Sequence, residues 1–239
     1  MPRQHPGTPF LYDDVTGDLI GVRDPDGGES FPFAPRMTFA QMKALTGMVE
    51  GQMVCVTNYG KGGSTWRYSA TLADWFPTAP LKVYENTALI SGVAQTADQL
   101  LLAIPCEAGL LASKVFRLLI SFGKTGTTDA SGSFAFRLGT AGTTADTSFA
   151  TAGAGALAAG VRSVGFESWH RMASATSVNK LGGLAAGSFQ QASGSGVVLN
   201  NATTVANVAS QAVYLSLTTA MGGATDTPQL GYVALEIQP

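Results

Sequence analysis

The chain has 239 residues, of which only 13% are charged, and a formal net charge of −2. This length is enough for one large domain or two modest ones, each with its own core. Charge this sparse and balanced excludes the electrostatic footprint of a DNA- or RNA-binding protein. The sequence opens with no signal-peptide pattern and has no apolar run long enough to cross a bilayer, so we expect no membrane insertion.

Residues 1–80 are predicted to form a small region that attaches the protein to a partner. Residues 1–17 are rich in proline and predict an extended arm. Next, the turn signal Asp24-Pro25-Asp26-Gly27-Gly28 between two short apolar segments predicts a hairpin. The predicted partner-docking anchors are four aromatic residues of the arm and hairpin: Phe10, Tyr12, Phe31 and Phe33.

A short helix and a second hairpin complete this region. Thr38-Phe39-Ala40-Gln41 has the pattern of a capping box and predicts a helix over residues 38–46. Two strand-like segments around a glycine-rich turn predict a β-hairpin over residues 52–69. Two prolines in the four residues 77–80 resist helix and strand alike, so we place the domain boundary there.

Residues 81–239 predict an antiparallel β-sandwich of the jelly-roll type. Four segments alternate apolar and polar residues with a period of two, which is typical of half-buried strands: Lys114–Phe122, Gly132–Gly139, Gln211–Thr219 and Gly231–Gln238. Four more strands are predicted over Lys82–Ile90, Gln99–Ile104, Val161–Met172 and Val197–Asn200. Residues 140–160 are predicted to be a long connection of low complexity. Eight strands without helices between them favour a mainly β jelly-roll-like domain.

Each alternating segment also predicts which residues face the core. The expected inward set is Phe116, Leu118, Ile120 and Phe122, then Phe134, Phe136 and Leu138, then Val213, Leu215 and Leu217, and finally Val233, Leu235 and Ile237.

A long neutral segment favours self-association. No Asp, Glu, Lys or Arg occurs from Leu181 to Thr225. Interface cores are depleted of charge, so this stretch is expected to pack against copies of itself around a symmetry axis. A set of solvated Ser, Thr and Asn loops is the alternative.

No pattern predicts a catalytic residue, a metal site or a cofactor, and the chain is expected not to be an enzyme. Gly123-Lys124-Thr125 lacks the upstream glycine and the following helix of a phosphate loop. His170 is expected at the surface or in an interface. Cys55 and Cys106 are expected to be free, buried thiols. Calcium binding through Asp24, Asp26 or Asp129 stays open, because hard cations need only oxygen ligands.

Two segments resemble tailed-bacteriophage virion proteins. Residues 51–78 resemble a short module of tail, neck and fibre proteins, and Phe116–Thr144 resembles β-rich domains of the same class. The matching residues of the first segment are Gly51, Val54, Val56, Thr57, Gly60, Gly62, Gly63, Ser64, Trp66 and Tyr68.

This resemblance implies a non-enzymatic structural protein of the virion, assembled in the host cytoplasm. The protein would dock through its N-terminal region on other virion proteins and oligomerise through its sandwich, commonly as a trimer. The chain has no long shaft and no β-helix periodicity, which favours a short fibre, collar or tail-tip element over a tailspike depolymerase. A tail module that binds a host-surface glycan receptor, or a capsid decoration protein, are the alternatives.

Overall fold

The computed structural model describes the backbone of residues 3–4, 10–12, 19–23, 29–30, 34–60, 63–126, 130–157, 162–186 and 202–239, and the side chains within 34–60, 63–126, 134–151, 165, 167–179, 181 and 202–239. Contacts between residues divide the chain into two compact units, Met1–Ala79 and Pro80–Pro239. The protein is mainly β, and its sheets are antiparallel except for one pair of short strands.

The first unit contains two four-stranded sheets. The first sheet has the order β1-β2-β3-β4, and its strands are β1 (Arg3–Gln4), β2 (Phe10–Tyr12), β3 (Leu19–Arg23) and β4 (Glu29–Ser30). The second has the order β5-β6-β7-β8, with β5 (Arg36–Met37), β6 (Met53–Val56), β7 (Ser64–Ser69) and β8 (Asp74–Pro77). The predicted 52–69 hairpin corresponds to β6 and β7.

The helix α1 (Phe39–Lys43) follows β5 and is shorter than the predicted 38–46. Its capping box is formed as predicted: Thr38 Oγ1 accepts a hydrogen bond from the backbone N–H of Gln41, whose side chain accepts one from the backbone N–H of Thr38. The helix ends early because the chain turns at Ala44 and adopts a positive φ of 71° at Gly47.

The second unit is a sandwich of two antiparallel sheets. The large sheet contains β9 (Leu81–Asn86), β10 (Ile90–Ser91), β12 (Val115–Thr125), β15 (Arg162–Ser174), β16 (Ser177–Ala186), β17 (Ala202–Thr204) and β19 (Thr227–Ile237). The small sheet contains β11 (Gln99–Cys106), β13 (Ala130–Gly139), β14 (Thr147–Leu157) and β18 (Val213–Met221).

The strand order confirms the predicted jelly roll. The large sheet runs β10-β19-β12-β15-β16-β17, with β9 also paired to β19, and the small sheet runs β11-β18-β13-β14. The last two strands insert beside the first ones: β18 pairs with β11 in the small sheet, and β19 pairs with β9 and β10 in the large sheet, as in two interleaved Greek keys. The strands β16 and β17 extend one edge of the large sheet beyond the eight-strand pattern.

The inward faces of the two sheets form the core of the sandwich. Every residue of the predicted inward set is at most 4% exposed, so that prediction is confirmed. Aromatic rings join the two layers: Phe116 of β12 contacts Phe149 of β14 edge-on, and Phe122 of β12 contacts Phe134 of β13. The period-two pattern therefore marks strands that face each other across one core.

Three strands of the sandwich, β14, β16 and the short β17, were not predicted, and one prediction is untested. The predicted connection 140–160 is wrong over Thr147–Leu157, because β14 pairs along β13 there. Strand β16 pairs with β15 and was also missed. Both strands are rich in Ala and Gly, whose small side chains give no apolar–polar alternation; their pairing partners determine their conformation. The predicted strand Val197–Asn200 lies outside the described residues.

Candidate functional site

The four predicted docking anchors lie where the structure describes no side chains. Phe10 and Tyr12 are on β2, and Phe31 and Phe33 are outside the described residues. Strand β2 pairs with both β1 and β3, so this part of the predicted arm is an inner strand of a sheet rather than a free extended segment. Backbone pairing holds it in place.

Two tryptophans of residues 51–78 lie in the core formed by the β5-β6-β7-β8 sheet and α1. Trp66 and Trp75 are 0% and 2% exposed. Phe39 of α1 packs edge-on against Trp66, with ring centroids 5.4 Å apart. Tyr68 packs against Trp75 in the same way. These side chains hold α1 on the sheet, and the two tryptophans offer no ring face to a ligand.

His170 is buried, so its predicted surface or interface position is wrong. The residue is 0% exposed, because it lies on the inward face of β15. Its ring stacks on Phe116 at 5.3 Å and meets Phe149 edge-on at 5.0 Å. His170 Nε2 lies 2.7 Å from Ser168 Oγ, and Ser168 is 0% exposed as well. The pair is sealed between the sheets, where a dissolved substrate has no access.

The outer face of the large sheet carries a compact charged group, called here the Arg117 cluster: Arg117, Glu167, Trp169 and Glu236. Arg117 donates from Nη2 and Nε to Glu236 Oε2 at 2.5 and 3.2 Å. Its Nη1 lies 3.5 Å from Glu167 Oε1, and its guanidinium lies over the Trp169 ring at 5.3 Å. Trp169 Nε1 donates to Glu167 Oε1 at 2.6 Å.

The Arg117 cluster is half-exposed and pairs one guanidinium with two carboxyl groups. The side chains of Arg117 and Glu167 are 28% and 27% exposed, and that of Glu236 is 12% exposed. The hydrogen bond to Glu236 raises the pKa of Arg117. Such a face presents one held aromatic ring beside carboxylate oxygens, the arrangement of a shallow polar binding surface.

A second charged group lies farther along the same sheet, on β9 and β19. Lys82 Nζ lies 2.6 Å from Glu85 Oε1, which also accepts a hydrogen bond from the Tyr232 hydroxyl. The hydrogen bond from Lys82 lowers the pKa of Glu85. Burial, followed by the hydrogen bond to Glu85, raises the pKa of Tyr232. This group and the Arg117 cluster make the outer face of the large sheet polar.

On the outer face of the small sheet, Arg137 of β13 makes hydrogen bonds to three separate segments. Its Nε donates to Thr218 Oγ1 at 3.0 Å, its Nη1 to the Asp146 carbonyl at 2.9 Å, and its Nη2 to Asp98 Oδ2 at 2.7 Å. Ser216 and Thr218, which point outward from β18, are both 0% exposed. Arg137 thus ties β18 to the segments around Asp98 and Asp146.

The loop after β13 owes its shape to Asp146. Its carboxylate accepts hydrogen bonds from the backbone N–H groups of Ala141, Gly142 and Thr143. A Cβ atom at Gly139 would lie 2.1 Å from Asp146 Oδ1, so only glycine fits there. Gly139 and Gly142, in the segment Phe116–Thr144, therefore take part in an ordered loop.

Part of the neutral stretch 181–225 is explained by this arrangement. Its central strand β18 is buried on its inward face by the other sheet and on much of its outward face beneath Arg137. A charge at these positions would have to be buried, which costs several kcal/mol. For β18, burial within the chain's own sandwich accounts for the absence of charge without an intersubunit contact.

The remaining predicted sites are placed as follows. Lys124 of the glycine–lysine motif lies on β12 and is fully buried. Asp24, Asp26 and Asp129 lie outside the described residues. Among the residues that are described, no three His, Cys, Asp or Glu side chains form a group able to hold a metal ion. The described part of the chain also has no helix of the length and hydropathy needed to span a membrane.

Both cysteines are free thiols. Cys106 is 1% exposed, and burial raises its pKa to about 12. Cys55 is half-buried on β6. At neutral pH Cys106 stays protonated and behaves as a small apolar side chain.

No protein-family model, curated protein or solved structure matches this chain. The fold is therefore established by its strand order alone, and functional inference depends on the chain's own residues.

Proposed function

We propose that this protein is a non-enzymatic structural component of a tailed-bacteriophage virion, most simply a short fibre, collar or tail-tip protein. It docks through residues 1–80 and forms a homo-oligomer, a trimer, through its sandwich. The observation that carries the proposal is the jelly-roll strand order, an architecture that viral capsid proteins use. The phage-like sequence of Phe116–Thr144 lies in that same domain.

The division of contacts supports separate roles for the two units. Met1–Ala79 and Pro80–Pro239 are each compact, as expected of an attachment unit followed by a displayed domain. The Ser168–His170 pair, which combines a nucleophile with a base, is buried in the core. Its burial fits a structural protein better than a hydrolase.

Particle composition tests the proposal directly. Antibody against the full chain should detect it in purified phage particles, and native mass spectrometry of the purified chain should give one discrete oligomer. A variant lacking residues 1–35 should keep the sandwich and fail to enter particles. Absence of the full chain from purified particles, or normal incorporation of the deletion variant, would contradict the assignment.

A glycan-binding tail module is the second candidate, favoured by the Arg117 cluster. Trp169 is held half-exposed beside Glu167, and sugars bind to rings with neighbouring hydrogen-bond acceptors. A glycan array with the full chain and with Trp169→Ala tests this role. Binding that the substitution removes supports it; an array without signal leaves the scaffolding role alone. A capsid decoration protein is distinguished by the position of its copies in cryo-EM maps of the particle.

A further inference from the structure

The large sheet contains a lysine and an aspartate that are completely removed from solvent. Lys124 lies near the end of β12, and Asp226 immediately precedes β19, the strand paired with β12. Lys124 Nζ and Asp226 Oδ2 are 3.0 Å apart, and both side chains are 0% exposed. The two residues are 102 positions apart in the chain, so this contact connects distant segments of the fold.

The local backbone is built to admit the Asp226 carboxyl group. Gly126 has a φ of 150°, and a Cβ atom there would lie 2.0 Å from Asp226 Oδ1. Any other residue would push Asp226 away from Lys124. Phe122, which shares a face of β12 with Lys124, is 1% exposed, and its cross-strand partner Leu230 is 0% exposed. Apolar side chains thus flank the pair.

A second lysine–aspartate contact provides an internal contrast. Lys43 Nζ lies 2.8 Å from Asp74 Oδ1, which is as close, but the Lys43 side chain is 31% exposed. Water reaches that amino group. At Lys124 no solvent is available, and two buried charges lose much of their hydration energy. Burial, not distance, distinguishes the two contacts.

We propose that Lys124 and Asp226 form an intramolecular amide bond that joins β12 covalently to the start of β19. Reacting groups held in contact reach effective concentrations of about 10⁵–10⁸ M. Amide formation uses the amine lone pair as the nucleophile, and the 3.0 Å contact holds that nitrogen beside the carboxyl group.

The reaction is balanced without an added reagent. One proton passes from the Lys124 ammonium to Asp226 Oδ2 along their hydrogen bond. The Nζ lone pair adds to Cγ, the bond from Cγ to the protonated oxygen breaks, and a second Nζ proton leaves with that oxygen as water. One N–C bond forms, one C–O bond breaks, and nothing is oxidised or reduced. The cross-link can therefore form in a reducing compartment, where disulfides do not persist.

Intact-mass spectrometry of the denatured full chain tests the proposal. The expected mass is about 18 Da below that of the sequence, one water lost in a cross-link of groups held in proximity. A tryptic digest should contain a branched peptide that joins the segments around Lys124 and Asp226. A mass equal to that of the sequence would overturn the proposal.

Matched variants separate the cross-link from other losses of water. Asp226→Asn should lose ammonia, about 17 Da, since its amide can be displaced by the same amine. Lys124→Arg should show its full sequence mass. A deficit that survives Lys124→Arg would assign the lost water to cyclisation of an aspartate and refute the proposal. Lys43→Arg, at the solvated pair, should keep the deficit. If Lys124→Arg does not fold, the presence or absence of the branched peptide in a digest of the original protein still tests the cross-link. The readout is mass alone and is independent of any role in a virion.

Discussion

The outer faces of the two sheets of the sandwich each carry a hydrogen-bonded arginine, but the two arginines differ in exposure and in what lies beneath them. On the large sheet, Arg117 is half-exposed and pairs with Glu236 and Glu167. On the small sheet, Arg137 is 19% exposed and lies over fully buried Ser216 and Thr218. Arg117 lies on an exposed surface, whereas Arg137 lies over buried hydroxyl groups.

The difference shows that a charge-free sequence has more than one cause. Strand β18 is neutral because much of it is buried within its own sandwich. Its hydrogen bond to a charged group comes from Arg137 on the neighbouring strand β13, which donates to Thr218. The large sheet faces solvent and bears its charges on the strands themselves. A neutral stretch read along the chain therefore does not by itself identify an intersubunit surface.

The largest expected effect concerns Cys106, on the inward face of the small sheet. Its folded pKa of about 12 lies above the ordinary value of 9.0, so its contribution is complete below about pH 8 and is lost as the pH rises toward 12. Burial of the neutral thiol is then worth about 4 kcal/mol that disappears at high pH. Urea unfolding at about pH 8 and about pH 11 should show about 3 kcal/mol of this loss, because the folded thiol is still mostly protonated at pH 11.

Two alanine variants check that assignment. Cys106→Ala should reduce the decrease in the free energy of unfolding between about pH 8 and about pH 11. Cys55→Ala, at a half-buried thiol, is the matched control and should show the same decrease as the unchanged protein. An unchanged pH dependence in Cys106→Ala would mean that other groups cause it.

Arg137→Ala should cost about 3 kcal/mol, because it removes three hydrogen bonds and leaves the Thr218 hydroxyl buried without its donor. Urea unfolding monitored by circular dichroism measures the loss. Arg137→Lys should recover only part of it, since one ammonium cannot reach three acceptors in the geometry of a guanidinium. If Arg137→Ala lost less unfolding free energy than Arg117→Ala, the proposed difference between the two outer faces would be wrong.

Arg117→Ala should cost only about 1 kcal/mol, since its ion pairs are partly exposed and screened by salt. The same unfolding assay in low and high salt is the measurement. High salt should shrink the difference between the variant and the unchanged protein. A salt-independent cost of several kcal/mol would show that the large sheet is closed in the same way as the small one.

Ser216→Ala should stabilise the protein slightly, by about 1 kcal/mol or less. Ser216 Oγ is buried and has no hydrogen-bond partner among the described residues, so its removal relieves a desolvation cost. Thr218→Val, two residues along the same face of β18, should destabilise because it removes an acceptor of Arg137. Melting temperatures of the two variants should therefore shift in opposite directions.

Local patterns predicted much of the fold. The capping box of Thr38 and Gln41 needs only four consecutive residues, and the inward set of the alternating strands needs only a period of two. Both signals are complete within a short segment. Strand β14 was missed because its conformation depends on pairing with β13.

The candidate surfaces were harder to predict, since their residues are distant in the chain. Arg117 meets Glu167 and Glu236, which are 50 and 119 positions away. The burial of His170 also depends on residues distant in the chain, because aromatic rings from both sheets surround it. The one signal that was present, its inward register beside Ser168 on a strand, pointed to burial.

The sequence by itself determined that the alternating segments become strands and which of their faces avoid water, because side-chain alternation and hydrophobicity act locally. Only the tertiary structure decided which strands pair, that β18 is covered on its inward face and on much of its outward face, and that Lys124 meets Asp226 away from solvent. Those outcomes depend on the closing of two sheets over one another, a property of the whole sandwich that no short segment contains.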